Sequence, residues 1–336
     1  MKAAFVKSID QIEIRDLELA SPDCDEIRVK VEACGICGSD VTFALDGKEN
    51  FDPMGHEVAG VVVEAGSAVK NLKVAQRIVL DSSTPCGRCS ACKNATPEFC
   101  TDLATFLYKP SHGIAEEMLS PAISAVSYDG LTPEAACLAE PLGVAIDLHR
   151  CADIKVGSHV VVSGLGPIGL MALRLAKLSG AEKIYACDLS KSKIRLETAL
   201  KFGADEIIEV DKTPIDSYKF SQAPDRFLIS SPPKTIPAMV EAAGRGAILS
   251  FIGIKFGDGA NITFDANTFH FKKLQLRGSF LSPALYTPYA LQLLKNGSID
   301  SKSLITHVFD MSDLKEALRV AAFEPDKSIK VVVVNR

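Results

Sequence analysis

The sequence has no long hydrophobic run and no sign of an export signal. No window of roughly 18 uninterrupted apolar residues occurs in it. The opening residues, MKAAFVKSIDQIEIRD, contain neither an apolar core nor a small-residue cleavage site. We therefore expect a cytoplasmic protein that does not enter a membrane. Because thiols stay reduced in that compartment, disulfides are disfavoured.

Positive charge is not in excess either. Lys and Arg total 37 against 42 Asp and Glu, which gives a formal net charge of −5. No basic run forms a stripe that could follow a phosphate backbone, so we expect no nucleic-acid partner. The sequence also lacks low-complexity tracts and internal repeats of about 20 to 50 residues. At 336 residues the chain should be folded throughout, in about two domains.

The two halves of the chain have different patterns. The first residues, to about Leu80, alternate short apolar runs with turn signals, as in EIRVKVEACG and AQRIVLD, which predicts a β-rich, barrel-like unit. From Ser158 to about Gly278, strands such as HVVVSG and KIYACD alternate with helical segments such as PIGLMALRLAKLSG. That alternation predicts a parallel sheet covered by helices on both faces, so the fold class is α/β. The remaining tail is too small to fold alone and should pack on a larger unit.

A dense group of cysteines lies between the two patterns. Four of the ten cysteines follow the spacing C-x-x-C-x-x-C-x7-C, at Cys86, Cys89, Cys92 and Cys100. Four thiolates make a closed tetrahedral shell, which predicts a structural zinc ion with no open position for chemistry. Disulfide or redox pairing is the alternative, and the reducing compartment disfavours it.

A glycine-rich loop follows the first strand of the predicted parallel sheet. It is formed by Gly164, Leu165, Gly166, Pro167, Ile168 and Gly169, and it opens a helix. This arrangement is typical of a dinucleotide site, although a glycine turn without a ligand is the alternative. Asp188 ends the next strand, where a carboxylate accepts hydrogen bonds from the ribose and repels a 2′-phosphate. The sequence thus favours NAD over NADP, with Lys193 and Arg195 placed either near the adenosine ribose or on a solvated face.

Four further residues offer donors of mixed type: Cys37, His56, Glu57 and Glu140. A catalytic zinc usually has three protein ligands of mixed type and an open fourth position. One thiolate, one imidazole and one carboxylate would supply such a set. Taken singly, each has a simpler explanation as a buried thiol, a turn histidine or a helix-terminal charge. Spacing alone does not join them into one site.

The sequence resembles the zinc-containing medium-chain dehydrogenases, on the branch of sorbitol, threonine and galactitol-phosphate dehydrogenases. The matching stretches are GICGSD, GHEVAGVVVEAG, the segment from Cys86 to Cys100, AEPLGVA, GLGPIGL, LRGSF and LITHVFDMSDLKEAL. The resemblance implies a GroES-like catalytic domain over residues 1–147 and a Rossmann NAD-binding domain over residues 148–277. Residues 278–336 would return to the catalytic domain.

The resemblance also implies an activity. A catalytic zinc would be held by Cys37, His56 and Glu140, with Glu57 beside it or exchanging with Glu140, and a structural zinc by the four clustered cysteines. The enzyme would oxidise a secondary alcohol of a polyol, sugar or cyclitol with NAD, by Lewis-acid catalysis and hydride transfer. A sugar-phosphate or amino-alcohol substrate is the alternative, and a non-catalytic nucleotide-binding protein is an alternative of another class. Relatives form homo-oligomers, either dimers or tetramers.

Some positions of the expected active site depart from that family or have two interpretations. Ser39 matches the hydroxyl that relays the proton, or caps the helix that begins at SDVTFAL. Thr42 stands where many relatives carry a histidine, and Leu281 where polyol dehydrogenases often carry an arginine. His112 and Phe280 fall in segments that resemble the wall of the substrate cleft.

Overall fold

The computed structural model describes residues 1–255, 257–280 and 283–335. The strands are β1 (Lys2–Ser8), β2 (Gln11–Asp16), β3 (Glu26–Gly35), β4 (Asp52–Pro53), β5 (Glu57–Ala65), β6 (Arg77–Leu80), β7 (Glu117–Pro121), β8 (Ala125–Ser127), β9 (His159–Ser163), β10 (Lys183–Asp188), β11 (Glu206–Glu209), β12 (Arg226–Ile229), β13 (Ile248–Phe251), β14 (Gln275–Gly278), β15 (Ile305–Asp310) and β16 (Lys330–Val334). The α-helices are α1 (Gly38–Asp46), α2 (Ser90–Lys93), α3 (Pro133–Ala136), α4 (Ala139–Ala152), α5 (Pro167–Leu178), α6 (Lys193–Phe202), α7 (Ile236–Ala242), α8 (Ala266–Phe271), α9 (Thr287–Lys295), α10 (Ser301–Leu304) and α11 (Leu314–Phe323).

The chain divides into two compact units. The first comprises Met1–Gly143, Leu281–Glu324 and Ser328–Arg336, and the second Val144–Phe280 and Pro325–Lys327. These divisions fall a few residues from the boundaries expected at 147 and 277. Among the described residues, no helix is both long and apolar enough to cross a membrane.

The first unit is built on β-sheets. Its larger sheet has the order β15-β16-β3-β5-β6-β8, with β7 also paired to β3, and a smaller sheet has the order β2-β1-β4. Strand β3 buries most of its residues, because it pairs with β5, β7 and β16 along its length. Its apolar side chains and those of β5, β16 and α11 share one hydrophobic core. The expected β-rich unit is therefore present.

The tail of the chain completes this first sheet. Strand β16 reads KVVVV, and all five residues are buried. It lies antiparallel to β3, pairing Val333 with Cys34, and parallel to β15. A strand covered on both faces has a continuous apolar run rather than an alternating one. The last strand of the chain is thus an interior strand of the first unit.

The second unit contains a six-stranded parallel sheet in the order β11-β10-β9-β12-β13-β14. Strand β9 lies between β10 and β12, which is the point where the strand order reverses and where ligands bind in such sheets. The expected strands and the alternating helices α5, α6 and α7 are confirmed. Strand β11 (EIIE) was not singled out, because it is short and has charged residues at both ends.

Candidate functional site

Three residues of mixed donor type come together in the first unit. Cys37 is the N-cap of α1, His56 precedes β5 directly, and Glu57 is the first residue of β5. One ligand atom from each lies within 4.8 Å of the others. Gly35 pairs with Glu57 across the sheet, and a Cβ at Gly35 would lie 1.9 Å from Glu57 Oε2. The glycine therefore leaves the space that the carboxylate occupies.

Asp40 connects the thiol and the imidazole of this site. Its Oδ2 accepts a hydrogen bond from the Cys37 N–H at 3.0 Å, and its Oδ1 lies 3.6 Å from His56 Nδ1. Burial raises the pKa of Asp40, but the charge and hydrogen bond of His56 outweigh it and the net pKa is lowered. Asp40 thus fixes the orientation of the imidazole, as an acid behind a metal-binding histidine does. The sequence offered a signal, since Asp40 lies three residues after Cys37 in GICGSD, but it was missed.

Ser39 does not cap the helix. Helix α1 begins at Gly38 with Cys37 as its N-cap, so Ser39 is the second helical residue. The interpretation of Ser39 as the cap is wrong, because Cys37 is the N-cap, and its N–H donates to the Asp40 carboxylate in a capping box. The side chain of Ser39 is exposed.

Glu140 lies outside the close group. It is in the first turn of α4, it is buried, and its Oε1 accepts a hydrogen bond from Ser82 Oγ at 3.1 Å. Burial raises the pKa of Glu140 to about 7, opposed in part by the charge of His56. Burial therefore outweighs the effect of the positive charges of His56 and Lys330 on this carboxylate. The carboxylate that lies with Cys37 and His56, with ligand atoms within 4.8 Å of one another, is that of Glu57 and not that of Glu140.

Glu57 already has a cationic partner. Lys330 Nζ, at the start of β16, lies 2.7 Å from both Glu57 Oε1 and Glu57 Oε2, and it also donates to the Ile36 carbonyl at 2.9 Å. Both side chains of the pair are at most 2% exposed. Burial lowers the pKa of Lys330, but Glu57 outweighs it and raises the net pKa. Lys330 was not predicted, although a lysine beside four valines is a usable signal of a buried charge.

The four clustered cysteines form a second group. The sulfur atoms of Cys86, Cys89, Cys92 and Cys100 all lie within 4.8 Å of one another, around the short helix α2. Backbone N–H groups point at the sulfurs: Cys86 Sγ accepts from Cys89 N at 3.3 Å, and Cys100 Sγ from Cys86 N at 3.3 Å. The backbone N–H of Cys92 is the largest of the effects that lower the pKa of Cys89 to about 6. Four thiols held this way fit a structural zinc ion.

The glycine loop joins β9 to α5 in the second unit. Gly164 has a φ of 86°, and a Cβ at Gly169 would lie 1.8 Å from the Gly164 carbonyl oxygen. A Cβ at Gly166, the N-cap of α5, would meet no atom within 4 Å. Pro167 is the first residue of the helix and has no N–H, so the N–H groups of Ile168 and Gly169 are those of the first turn that favour a phosphate. The loop therefore has open space at a helix N-terminus, which fits the pyrophosphate of a dinucleotide.

The two glycines allow a matched test. Gly169→Ala should destabilise the protein by about 1–3 kcal/mol, because its Cβ would force the Gly164 carbonyl to move. Gly166→Ala should leave the melting temperature unchanged and weaken NADH binding by about tenfold, since its methyl group enters only the open space. Thermal unfolding and NADH titration measure the two effects. Equal melting temperatures for the two variants would contradict this account of the loop.

Asp188 is held beside this loop. Its Oδ2 accepts the Leu165 N–H at 2.7 Å, and its Oδ1 accepts the Leu189 N–H at 2.7 Å and the Ser192 hydroxyl at 3.0 Å. Lys193 is the exposed first residue of α6. Arg195 is the third residue of that helix, and burial lowers its pKa. The structure thus brings Asp188 and the glycine loop together.

The expected pocket residues are spread over the chain. The Thr42 hydroxyl donates to the Gly38 carbonyl at 3.0 Å, within its own helix, and His112 Nε2 lies 3.1 Å from the Leu107 carbonyl oxygen. Burial lowers the pKa of His112. Phe280 belongs to the second unit and is 65% exposed. Leu281 lies outside the described residues.

Comparison with known proteins adds a separate line of observation. Two family models match the chain: an alcohol dehydrogenase GroES-like domain over residues 23–130, and a zinc-binding dehydrogenase over residues 167–296. The chain is 30% identical to a sorbitol dehydrogenase of Bacillus subtilis (strain 168), with 99% of this chain and 97% of that protein covered. It is 31% identical to an L-idonate 5-dehydrogenase of Vitis vinifera, with 95% and 91% covered.

A solved structure is similar over the same length. It comes from E. coli CFT073, is described as a short chain alcohol dehydrogenase, and contains NADH. It shares a TM-score of 0.88 and 26% identity with this chain, and 99% of each chain is covered. The similarity therefore extends across both units rather than over one domain.

Proposed function

This chain belongs to the zinc-containing alcohol dehydrogenase family, and on that premise we propose that it oxidises a secondary alcohol of a polyol, sugar or cyclitol to the ketone, with NAD as hydride acceptor. The observation that carries the proposal is the group of Cys37, His56 and Glu57 within 4.8 Å, with the buried Glu140 as a second carboxylate outside that group. Its donors are of three types, unlike the closed set of four cysteines. Such a set suits a zinc ion with an open position.

Two bound groups would supply the chemistry, a zinc ion and the nicotinamide. Zinc held at the mixed site would act as the Lewis acid on the alcohol oxygen, and the nicotinamide would accept the hydride. The chain's own residues would prepare that site: Asp40 fixes the His56 ring, and Ser39, exposed two residues after Cys37, would pass the alcohol proton to solvent. The Thr42 hydroxyl donates to the helix backbone, so water would take the next step. Asp188 would select NAD by repelling a 2′-phosphate.

Two carboxylates compete for the third zinc ligand, and our proposal assigns it to Glu140. Distance favours Glu57, which lies in the close group. Charge favours Glu140, because both Glu57 oxygens already accept hydrogen bonds from Lys330, while within the described part of the chain no lysine or arginine is paired with Glu140. A divalent cation would neutralise the buried Glu140 carboxylate.

The assignment predicts different metal contents for two variants. Glu140→Gln should lose the catalytic zinc during dialysis against a chelator and retain the cysteine-bound ion, because its amide is a weak ligand. Glu57→Gln, combined with Lys330→Met to avoid an unpaired lysine, should retain both ions. Elemental analysis measures the number of zinc ions per chain in each variant. Loss of zinc from the double variant with retention in Glu140→Gln would assign the ligand to Glu57 instead.

The remaining partners in this proposal are small molecules and further copies of the same chain. The excess of acidic over basic residues disfavours nucleic acid. A homo-oligomer, as a dimer or tetramer, and a cytoplasmic location are proposed from the resemblance of the sequence to its branch of the family.

The test is NADH formation across hexitols, pentitols, inositols, aminocyclitols, sugar phosphates, sugar acids and threonine. Each substrate is measured with native protein, with protein stripped of its exchangeable zinc, and with zinc restored. Turnover of one class that disappears and returns with the metal supports the proposal and defines the substrate. If NAD and two zinc ions bind and no compound is oxidised, the non-catalytic alternative gains support.

A further inference from the structure

The loop after β10 has its hydrogen-bond donors engaged by two carboxylates. We call residues 188–192 (DLSKS) the ribose loop, because the adenosine ribose binds after the second strand of such a sheet. Asp188 Oδ1 accepts the Leu189 N–H at 2.7 Å and the Ser192 hydroxyl at 3.0 Å. The Leu189 N–H and the Ser192 hydroxyl are therefore both engaged by Asp188, which belongs to the same loop.

Asp211 engages the donors of Ser190, in the middle of the same loop. Its Oδ1 accepts the Ser190 N–H at 2.7 Å, and its Oδ2 accepts the Ser190 hydroxyl at 2.6 Å. Asp211 follows strand β11, whose neighbour in the sheet is β10, and the Val210 N–H donates to the Asp188 carbonyl at 3.0 Å. These hydrogen bonds from Ser190 lower the pKa of Asp211, so the acid is ionised at neutral pH.

Binding of a 2′-phosphate would need those same donors. A phosphate group is held by N–H and O–H donors and by cations, and each charged hydrogen bond contributes strongly to affinity. Ser190 is next but one to Asp188, and it could offer both a backbone N–H and a hydroxyl to a group on the ribose. While Asp211 accepts both, neither is available. Asp211 also places a second carboxylate beside the ribose loop.

We propose that Asp211 is a second determinant of the preference for NAD over NADP. It is a positioning residue that acts through Ser190, by withholding the donors that a 2′-phosphate would use, in addition to the repulsion from Asp188. The inference rests on the proposed use of NAD and adds a residue from a different strand to it. Removal of Asp188 alone should therefore leave part of the discrimination in place.

Two replacements separate the hydrogen bonds from the charge. Asp211→Ala removes both the acceptors and the charge, so it frees the Ser190 N–H and hydroxyl. Asp211→Asn removes the charge but retains an acceptor oxygen and a polar group beside Ser190. Asp216→Ala is the matched control, because it removes one exposed carboxylate from the same unit. Thermal unfolding checks that each variant is folded.

The measurement is equilibrium binding rather than turnover. Dissociation constants are determined by fluorescence titration for NADH and NADPH, and by calorimetry for AMP and adenosine 2′,5′-bisphosphate. We expect Asp211→Ala to lower the ratio of NADPH to NADH dissociation constants by about tenfold, the effect of one charged hydrogen bond. Asp211→Asn should change it by less than about threefold, and Asp216→Ala should leave it unchanged. Kinetic constants should show the change in KM for the cofactor and not in kcat.

Three results would count against the inference, each for a different reason. If Asp211→Ala behaves as Asp216→Ala does, Asp211 does not contribute to selection. Equal shifts in Asp211→Ala and Asp211→Asn would overturn the role through Ser190 and leave only charge. Wild-type protein that binds NADPH as tightly as NADH would overturn the proposed preference for NAD itself, and with it any residue assigned to that preference.

Discussion

Replacing Cys37 by serine should lower kcat/KM by at least about a thousandfold, while the protein stays folded and retains its cysteine-bound zinc. A serine hydroxyl stays protonated at neutral pH, whereas a thiolate is a strong zinc ligand. Loss of Lewis-acid stabilisation removes several kcal/mol, and about 1.4 kcal/mol corresponds to a factor of ten in rate. Helix α1 should not suffer, because Cys37 is its N-cap and serine is a favoured residue there.

The measurement combines steady-state kinetics with metal content. Native protein should contain two zinc ions per chain, and Cys37→Ser one. The matched control is Cys24→Ser, an exposed cysteine of the same unit, which should change neither quantity. Activity above about a tenth of the native value in Cys37→Ser would mean that the chemistry occurs elsewhere in the molecule.

The second large effect is on stability, from Lys330→Met. The lysine ammonium and the Glu57 carboxylate are both buried, and removal of one partner leaves the other charge unpaired. Such a loss is expected to destabilise the folded protein by about 3–5 kcal/mol. Lys330→Arg should lose much less, since it keeps the charge. Combining Lys330→Met with Glu57→Gln should restore most of the stability, because neither charge of the pair then remains.

Equilibrium unfolding in urea measures this effect, and its pH dependence gives an independent check. An unpaired buried carboxylate has a raised pKa in the folded state, so the stability of Lys330→Met should fall as the pH rises. The defect should shrink as the pH approaches about 4.3, the ordinary pKa of glutamate. A Lys330→Met variant as stable as native protein at neutral pH would show that the pair contributes nothing.

Features set by local spacing could be predicted from the sequence. The strands β9 and β10 were expected from short apolar runs in a repeating pattern of strands and helices, and the cysteine group from its spacing. The capping of α1 was not, because the helix begins one residue before Ser39: Cys37 is the N-cap, and its N–H donates to Asp40. Cysteine is not among the residue types that are favoured at an N-cap.

Contacts between residues that are far apart in the chain could not be predicted from the sequence. Glu57 and Lys330 are 273 residues apart in the chain, and nothing in either segment names its partner. For the same reason the hydrogen bond of Glu140 with Ser82 could not be foreseen. Asp211 reaches Ser190 across 21 residues through the pairing of adjacent strands, which requires the sheet register to be known.

The return of β16 to the centre of the first sheet has a consequence for synthesis on the ribosome. Nearly all of the second unit emerges before β16 does, and domains generally begin to fold as they leave the ribosome. Until β16 is synthesised, the end of β3 that comprises Ala33, Cys34 and Gly35 lacks its partner strand. Glu57 likewise has no counter-ion until Lys330 has been synthesised. An interrupted chain would therefore contain the second unit but neither the last strand of the first sheet nor the lysine that pairs with Glu57.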